Sequence, residues 1–245
     1  MYEGRMVAIL ALENVSKSFG ALKVTDGITL SVAEGETLGI LGPNGAGKTT
    51  LFNLISGDFH ADSGRVLFAG DDVTFHPPHR RCRSGIGRSY QIPQPFGAMT
   101  VFENLVAAAS FGTGTAEKET YAQAVEILRE TGLLAKANRL AGSLTLLDRK
   151  RLELARALAT QPKVLLLDEI AGGLTEHEAA ELVEEIRRIK AQGVTMIWIE
   201  HVVHALLAVA DRLFVINFGQ KLAEGNPAEV MNNPEVKRVY MGLEV

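Results

Sequence analysis

Gly42-Pro-Asn-Gly-Ala-Gly-Lys-Thr49 fits the pattern G-x-x-x-x-G-K-[ST], the loop that wraps the phosphates of a nucleoside triphosphate. Its glycines let backbone N–H groups turn inward around a β-phosphate, and the helix that follows adds the positive end of its dipole. Lys48 is placed to reach the β- and γ-phosphates, and the Thr49 hydroxyl is a ligand for Mg2+. Gly42, Asn44, Gly45, Ala46, Gly47 and Thr50 complete the phosphate-facing set. The flanks supply the strand–loop–helix setting that the pattern needs. Thr37-Leu-Gly-Ile-Leu41 reads as a short buried strand, and the helix beyond packs Leu51, Leu54 and Ile55 and closes at Gly57. The chain is expected to bind a nucleoside triphosphate.

Bulk properties narrow the setting. At 245 residues the chain can form one large domain or a core with a subdomain. A net charge of −4 offers no polyanion-binding surface, so no nucleic-acid partner is expected. Cys82 is the single cysteine, which excludes an internal disulfide and fits a reducing compartment. No apolar run approaches the ~20 residues needed to cross a bilayer. Met6-Val-Ala-Ile-Leu-Ala-Leu12 follows Arg5 as a faint echo of a secretory signal, but it lacks a small-residue cleavage site and runs into Glu13, so it reads as strand. A soluble, cytoplasmic protein is expected.

Residues 8–35 read as strand with turns at Gly20-Ala21 and Asp26-Gly27, and residues 64–75 continue it around Gly70. Pro77-Pro-His-Arg-Arg-Cys-Arg83 reads as a loop. From Thr100 to about Ala159 the pattern turns helical: Thr100-Val-Phe-Glu103 is a capping box, Gly112-Thr-Gly-Thr115 is a break, and Ala116 to Thr131 is a second helix. Lys163-Val-Leu-Leu-Leu167 is a buried strand. A second capping box, Thr175-Glu-His-Glu178, opens a helix with Leu182, Val183, Ile186 and Ile189 inward, and strand Val194–Ile199 follows. From Arg212 a short strand pair around Asn217-Phe-Gly219 alternates with short helices.

Leu165-Leu-Leu-Asp-Glu169 is the second chemical element. A hydrophobic strand ending in two carboxylates puts them at the C-terminal edge of a sheet, where α/β folds bind ligands. Asp168 is placed to hold Mg2+ through water and Glu169 to orient or deprotonate an attacking water. Gln91 follows the strand-like Ile86-Gly-Arg-Ser-Tyr90 and is suited to touch the metal or the water; His201 ends strand Met196–Glu200 and is suited to donate to a γ-phosphate. Singly, a glutamine or histidine after a strand is more often a cap or a packed polar group.

Phosphate loop, Gln91, acidic pair and His201 occur in the order and spacing of ATP-binding cassette (ABC) ATPases, and the chain resembles that family over essentially its whole length. The resemblance implies an α/β fold: a P-loop NTPase (RecA-like) core with an N-terminal antiparallel β subdomain and an inserted α-helical subdomain. It implies a single domain over 1–245, with 1–91 and 160–245 as nucleotide-binding core and 92–159 as the helical part. It also implies ATP with Mg2+, catalytic roles for Glu169, His201, Gln91 and Lys48, metal contacts from Thr49, Gln91 and Asp168, and adenine stacking by Phe19, which is otherwise an ordinary strand aromatic. Pro77-Pro-His-Arg80, Thr100–Leu105, Ile199-Glu-His201 and Asn232-Asn-Pro-Glu-Val236 resemble the ATPase subunits of branched-chain amino acid importers. Implied partners are a second ATPase subunit in a homo- or heterodimer, an integral membrane permease at whose cytoplasmic face the chain sits peripherally, and indirectly a periplasmic binding protein. The alternative is a non-transport or regulatory ABC-type nucleotide-binding protein with weak hydrolysis.

Two departures stand out. The family's Leu-Ser-Gly-Gly-Gln signature falls on Leu144-Thr-Leu-Leu-Asp148. Thr145 keeps the hydroxyl, but Leu146 and Leu147 replace the glycines that press backbone amides onto a nucleotide held by the opposite subunit. Either the leucines crowd the phosphate or forbid the turn, or they point away and the amides are still delivered. After Glu169 the chain reads Ile170-Ala-Gly-Gly-Leu-Thr175, without the family's usual Ser-Ala-Leu-Asp. The basic cluster His76-x-x-His-Arg-Arg-x-Arg83 reads as a solvated loop in preference to a lipid or permease contact; it lacks the ligands for zinc and the aromatics for nucleic acid. Pro93-x-Pro-Phe96 is expected to line a cleft for a permease helix or to form a hinge.

Overall fold

A computed structural model describes residues 8–241. Met6 and Val7, at the start of the expected first strand, and the last four residues lie outside the described part. The elements run β1 (Ala8–Phe19), β2 (Leu22–Ala33), β3 (Thr37–Leu41), α1 (Lys48–Ser56), β4 (Ser63–Phe68), β5 (Asp71–Asp72), α2 (Pro78–Ser84), β6 (Ile86–Arg88), α3 (Val101–Thr113), α4 (Glu117–Glu130), α5 (Leu146–Ala159), β7 (Val164–Asp168), α6 (Glu176–Ala191), β8 (Thr195–Ile199), α7 (Val203–Leu207), β9 (Arg212–Asn217), β10 (Gln220–Gly225), α8 (Pro227–Asn232) and α9 (Pro234–Met241).

Six strands form one sheet in the order β10-β9-β3-β8-β7-β6. All its pairings are parallel except the edge pair β9–β10. Its central strands are buried along their whole length, which is why they read as unbroken apolar runs rather than alternating ones. The pleat still sorts them. Val164, Leu166, Ile197 and Ile199 join the cluster shared with α1, β1 and β2, while Leu165, Leu167, Met196 and Trp198 join the opposite cluster with α6 and α7. A second, antiparallel sheet of order β2-β1-β4-β5 covers α1 from the other side.

Helices α3, α4 and α5 enclose a third cluster around Leu105, Ala124, Leu128 and Leu152. Helix α5 belongs to two clusters at once: Leu152 and Ala155 face α3 and α4, whereas Leu147, Leu154 and Ala157 pack against the sheet. Both expected capping boxes form, Thr100 with Glu103 and Thr175 with Glu178.

Two local expectations are corrected. Asp26-Gly27 does not turn the chain. Strand β2 runs through it, with Gly27 at φ +64° where the register against β1 shifts between Val15–Ile28 and Lys17–Thr25. Pro77–Arg83 is not a loop but helix α2, with Pro78 at its first turn, where the missing N–H costs nothing. Arg81 is the reason it docks: fully buried, it donates to the carbonyls of Leu54, Ile55, Thr74 and His76, satisfying the C-terminal end of α1.

Candidate active site

Strands β3, β7 and β8 are neighbours in one parallel sheet, so their C-terminal ends open onto a common edge. The phosphate loop leaves β3 there. Gly47 has φ +103°, and a Cβ on it would lie 2.5 Å from the Val24 carbonyl oxygen; a Cβ on Gly42 would lie 2.4 Å from the Ile216 carbonyl oxygen. Glycine is therefore required by close packing against β2 and β9 as well as by any ligand. The tip of the β9–β10 hairpin fixes the loop further, with the Gly219 N–H donating to the Ala46 carbonyl at 3.0 Å. The loop encloses a concavity of about 190 Å³ lined by Val24, Asn44, Gly45, Ala46, Gly47, Lys48, Thr49, Thr50 and Glu169. Lys48 is buried and donates to the carbonyls of Gly42 (2.7 Å) and Pro43 (3.1 Å). Burial lowers its pKa, against the pull of Glu169 and Asp168.

A second concavity, of about 610 Å³, shares Thr49 and is lined also by Gln91 and Asp168, so the three expected metal contacts face one space. They supply a hydroxyl, an amide and a carboxylate, the hard oxygen donors that Mg2+ takes alongside phosphate and water. Among the described residues no group of three His, Cys, Asp or Glu could hold a metal without such help. Asp168 is buried, which raises its pKa, and Arg88 opposes that shift from 3.0 Å. Arg88 also binds Asn53, Ser56 and Asp58 and lies over the rings of Tyr90 and Phe52.

Glu169 sits just past β7 with φ +47°, a left-handed conformation uncommon for a residue with a side chain. Its N–H donates to the Ile199 carbonyl at the end of β8 (2.8 Å). Its carboxylate is gripped from both sides: Gln91 Nε2 donates to Oε2 at 2.5 Å, and His201 Nε2 lies 2.6 Å from Oε1. Three residues far apart in sequence thus meet around one carboxylate.

Phe19 and the residues expected to act on the opposite subunit's nucleotide lie outside the lining of these two concavities. Phe19 lines neither concavity; it ends β1, half exposed, edge-on to Phe59 with ring centroids 5.2 Å apart. Thr145, Leu146 and Leu147 open α5. Thr145 is its N-cap, accepting from the Asp148 N–H, and neither leucine has a positive φ, so the leucines do not forbid the turn. Leu147 is 8% exposed and packs in the core, while Leu146 is 45% exposed.

Near this edge, Arg88, Lys150 and Glu200, charged residues with buried side chains, escaped the sequence reading. Arg88 stands within the stretch read as strand, and Lys150 lies in Arg149-Lys-Arg151, a run that resembles a solvated basic face. Glu200 precedes His201, is 1% exposed, and accepts from the Ala171 N–H at 3.4 Å. No sequence signal separates these from ordinary surface charges.

The sequence model of the family described as ABC transporter matches residues 25–172. The chain belongs to the ABC transporter family. A second model, described as branched-chain amino acid ATP-binding cassette transporter, matches residues 220–245. The cassette is 35% identical over 236 residues to the lipopolysaccharide export system ATP-binding protein LptB of Haemophilus influenzae, covering 96% of this chain and 98% of that one. It is 34% identical over 249 residues to the high-affinity branched-chain amino acid transport ATP-binding protein BraF of Pseudomonas aeruginosa, with the same coverage. The LivG protein of Escherichia coli K12, of the same description, is 35% identical over 249 residues, again covering 96% and 98%. A nucleotide-free ATP-binding cassette from an ABC transporter superposes with TM-score 0.88 at 35% identity, covering 97% of this chain and all of that one. The ADP conformation of the cassette MJ1267 gives 0.88 at 36% identity with the same coverage. The expected α/β P-loop NTPase fold is thereby established, and the chain is an ATP-binding ATPase subunit of a transporter. No helix among the described residues is long and apolar enough to cross a membrane.

Proposed function

We propose that this ATPase subunit powers uptake of branched-chain or related amino acids through an integral membrane permease, working peripherally at the cytoplasmic face of the membrane and fed by a periplasmic binding protein. The match of residues 220–245 to the branched-chain amino acid transporter model carries this reading, and the descriptions of BraF and LivG support it. Export is the second reading, favoured by the likeness to LptB. Uptake of labelled leucine, isoleucine and valine should fall when the chain is deleted and return with the wild type but not with Glu169→Gln. Unchanged uptake of all three would contradict the proposal.

Within this reading the side chains divide the work. The phosphate-loop amides and Lys48 hold the β- and γ-phosphates of ATP. Thr49 and the amide oxygen of Gln91, whose nitrogen is engaged by Glu169, would hold Mg2+, with Asp168 holding it through water. The metal, when bound, offsets negative charge on the phosphates. Glu169 orients the attacking water and takes its proton; Gln91 and His201 fix the carboxylate, and His201 donates to the γ-phosphate. Phe19 stacks on adenine from the end of β1. Residues 1–91 and 160–245 act as nucleotide-binding core and 92–159 as the helical subdomain.

The cassette works in a dimer in which Thr145, Leu146 and Leu147 face the nucleotide of the other subunit. Since Leu147 is core, only Leu146 is free to crowd that nucleotide. A heterodimer whose partner carries a glycine signature would hydrolyse ATP at this chain's intact phosphate loop and only weakly at the reciprocal site.

A further inference from the structure

Lys150 lies on α5 and is 3% exposed, yet among the described residues no carboxylate is within ion-pair distance of its ammonium. A buried ammonium must find acceptors. It finds two carbonyls: Gln91 at 2.6 Å and Glu169 at 3.3 Å. Those are the two residues whose side chains meet at 2.5 Å. The Glu169 carbonyl also receives the Gly172 N–H at 3.2 Å, so both donors act at the residue held in the left-handed conformation.

The rest of the same helix face holds the same loop. Arg156 donates to the Gln94 carbonyl at 3.0 Å, lies over the Phe96 ring, and pairs with Glu153. Lys150, Glu153 and Arg156 are spaced three apart, on one side of α5. The segment from Gln91 to Phe96 is thus seated on α5. Lys150 alone of the three also reaches the loop that carries Glu169.

We propose that Lys150 is a positioning residue for ATP hydrolysis: by holding the main chains of Gln91 and Glu169 together, it fixes the side-chain contact that aims the Glu169 carboxylate. It lines neither concavity. This role rests on the assignment of Glu169 as the group that activates water.

The test is the full chain in its assembled transporter with Lys150→Met, which keeps the stem and removes the donors, and Lys150→Gln, which keeps an N–H donor. Lys150→Met should lower kcat by about 10- to 100-fold, the scale of an ångström-level misplacement, with KM for ATP within about threefold of wild type. Lys150→Gln should recover part of the loss. In a Gln91→Ala background, Lys150→Met should cost less than it does alone, since the contact it aims is already gone. A kcat within twofold of wild type for Lys150→Met would overturn the proposal. So would equal losses from Lys150→Met in the Gln91 and Gln91→Ala backgrounds, or a loss that tracks a fall in folded fraction with activity per folded molecule unchanged. If Lys150→Met fails to fold, Lys150→Gln carries the same cycle. Should Glu169→Gln leave hydrolysis intact, the underlying reading fails instead.

Discussion

At the scale of single residues, chemistry that was legible one side chain at a time became a site only through backbone geometry. Lys48, Asp168 and Glu169 are legible by pattern, because phosphate loops and strand-end carboxylates leave a sequence signature; Gln91 and His201 are legible only through the order and spacing shared with ABC ATPases. Arg88, Lys150 and Glu200 are not legible, because a buried charged side chain and a solvated one look alike in sequence, and only packing tells them apart. Glu200 yields a pH prediction. Burial pushes its carboxyl up to about 7, with Glu169 adding to the shift, and the Ala171 N–H and the charge of Lys150 on α5 opposing it. The folded state therefore holds the proton more tightly than the unfolded chain. This contribution to stability is complete below pH ~4.5 and is lost as pH rises through about 7, on the order of 3 kcal/mol. Glu200→Gln should flatten the fall in melting temperature between pH 5.5 and 8; an unchanged slope would show that Glu200 ionises freely. At the phosphate loop, Gly47→Ala should abolish ATP binding in a binding titration, since the new methyl meets the Val24 carbonyl at a left-handed φ.

At the scale of elements, the long periodic segments were readable and the short docked ones were not. Helices α3 and α6 announce themselves by capping boxes, and β7 and β8 by apolar runs between turn signals. Helix α2 hid behind two prolines, since its seven residues owe their stability to where they dock rather than to propensity. Arg81 supplies that docking through carbonyls of α1 and of the segment before α2, and burial pulls its pKa down to about 10. Arg81→Met should leave buried carbonyls unpaired and cost about 1–3 kcal/mol, read as a lower denaturant midpoint with an unchanged slope. No change in midpoint would mean that water replaces the guanidinium. The Asp26-Gly27 misreading has a similar origin: a glycine with positive φ serves a bulge as well as a turn, and only the pairing with β1 distinguishes the two.

At the scale of the whole molecule, one edge of a parallel sheet gathers the phosphate loop, the acidic pair and the histidine, and α5 ties the helical cluster to that edge through Leu147, Leu154 and Lys150. The same helix presents Leu146 at its exposed N-terminus. Leu146→Gly should raise the ATPase rate of the assembled transporter by about threefold or more, equivalent to roughly 0.6 kcal/mol of barrier. Leu147→Gly should instead cost about 3–5 kcal/mol of stability by emptying a core position and loosening the helix. No rate change for Leu146→Gly would mean that the side chain points away from the partner's nucleotide. In the proposed mechanism hydrolysis turns on Glu169, held by Gln91 and His201, as the group that activates water. The most direct test of that role is Glu169→Gln in the assembled transporter, with ATP affinity and hydrolysis measured side by side. Affinity should stay within a few-fold of wild type and turnover should fall by about 10²–10⁴; hydrolysis at the wild-type rate would contradict the role given to Glu169.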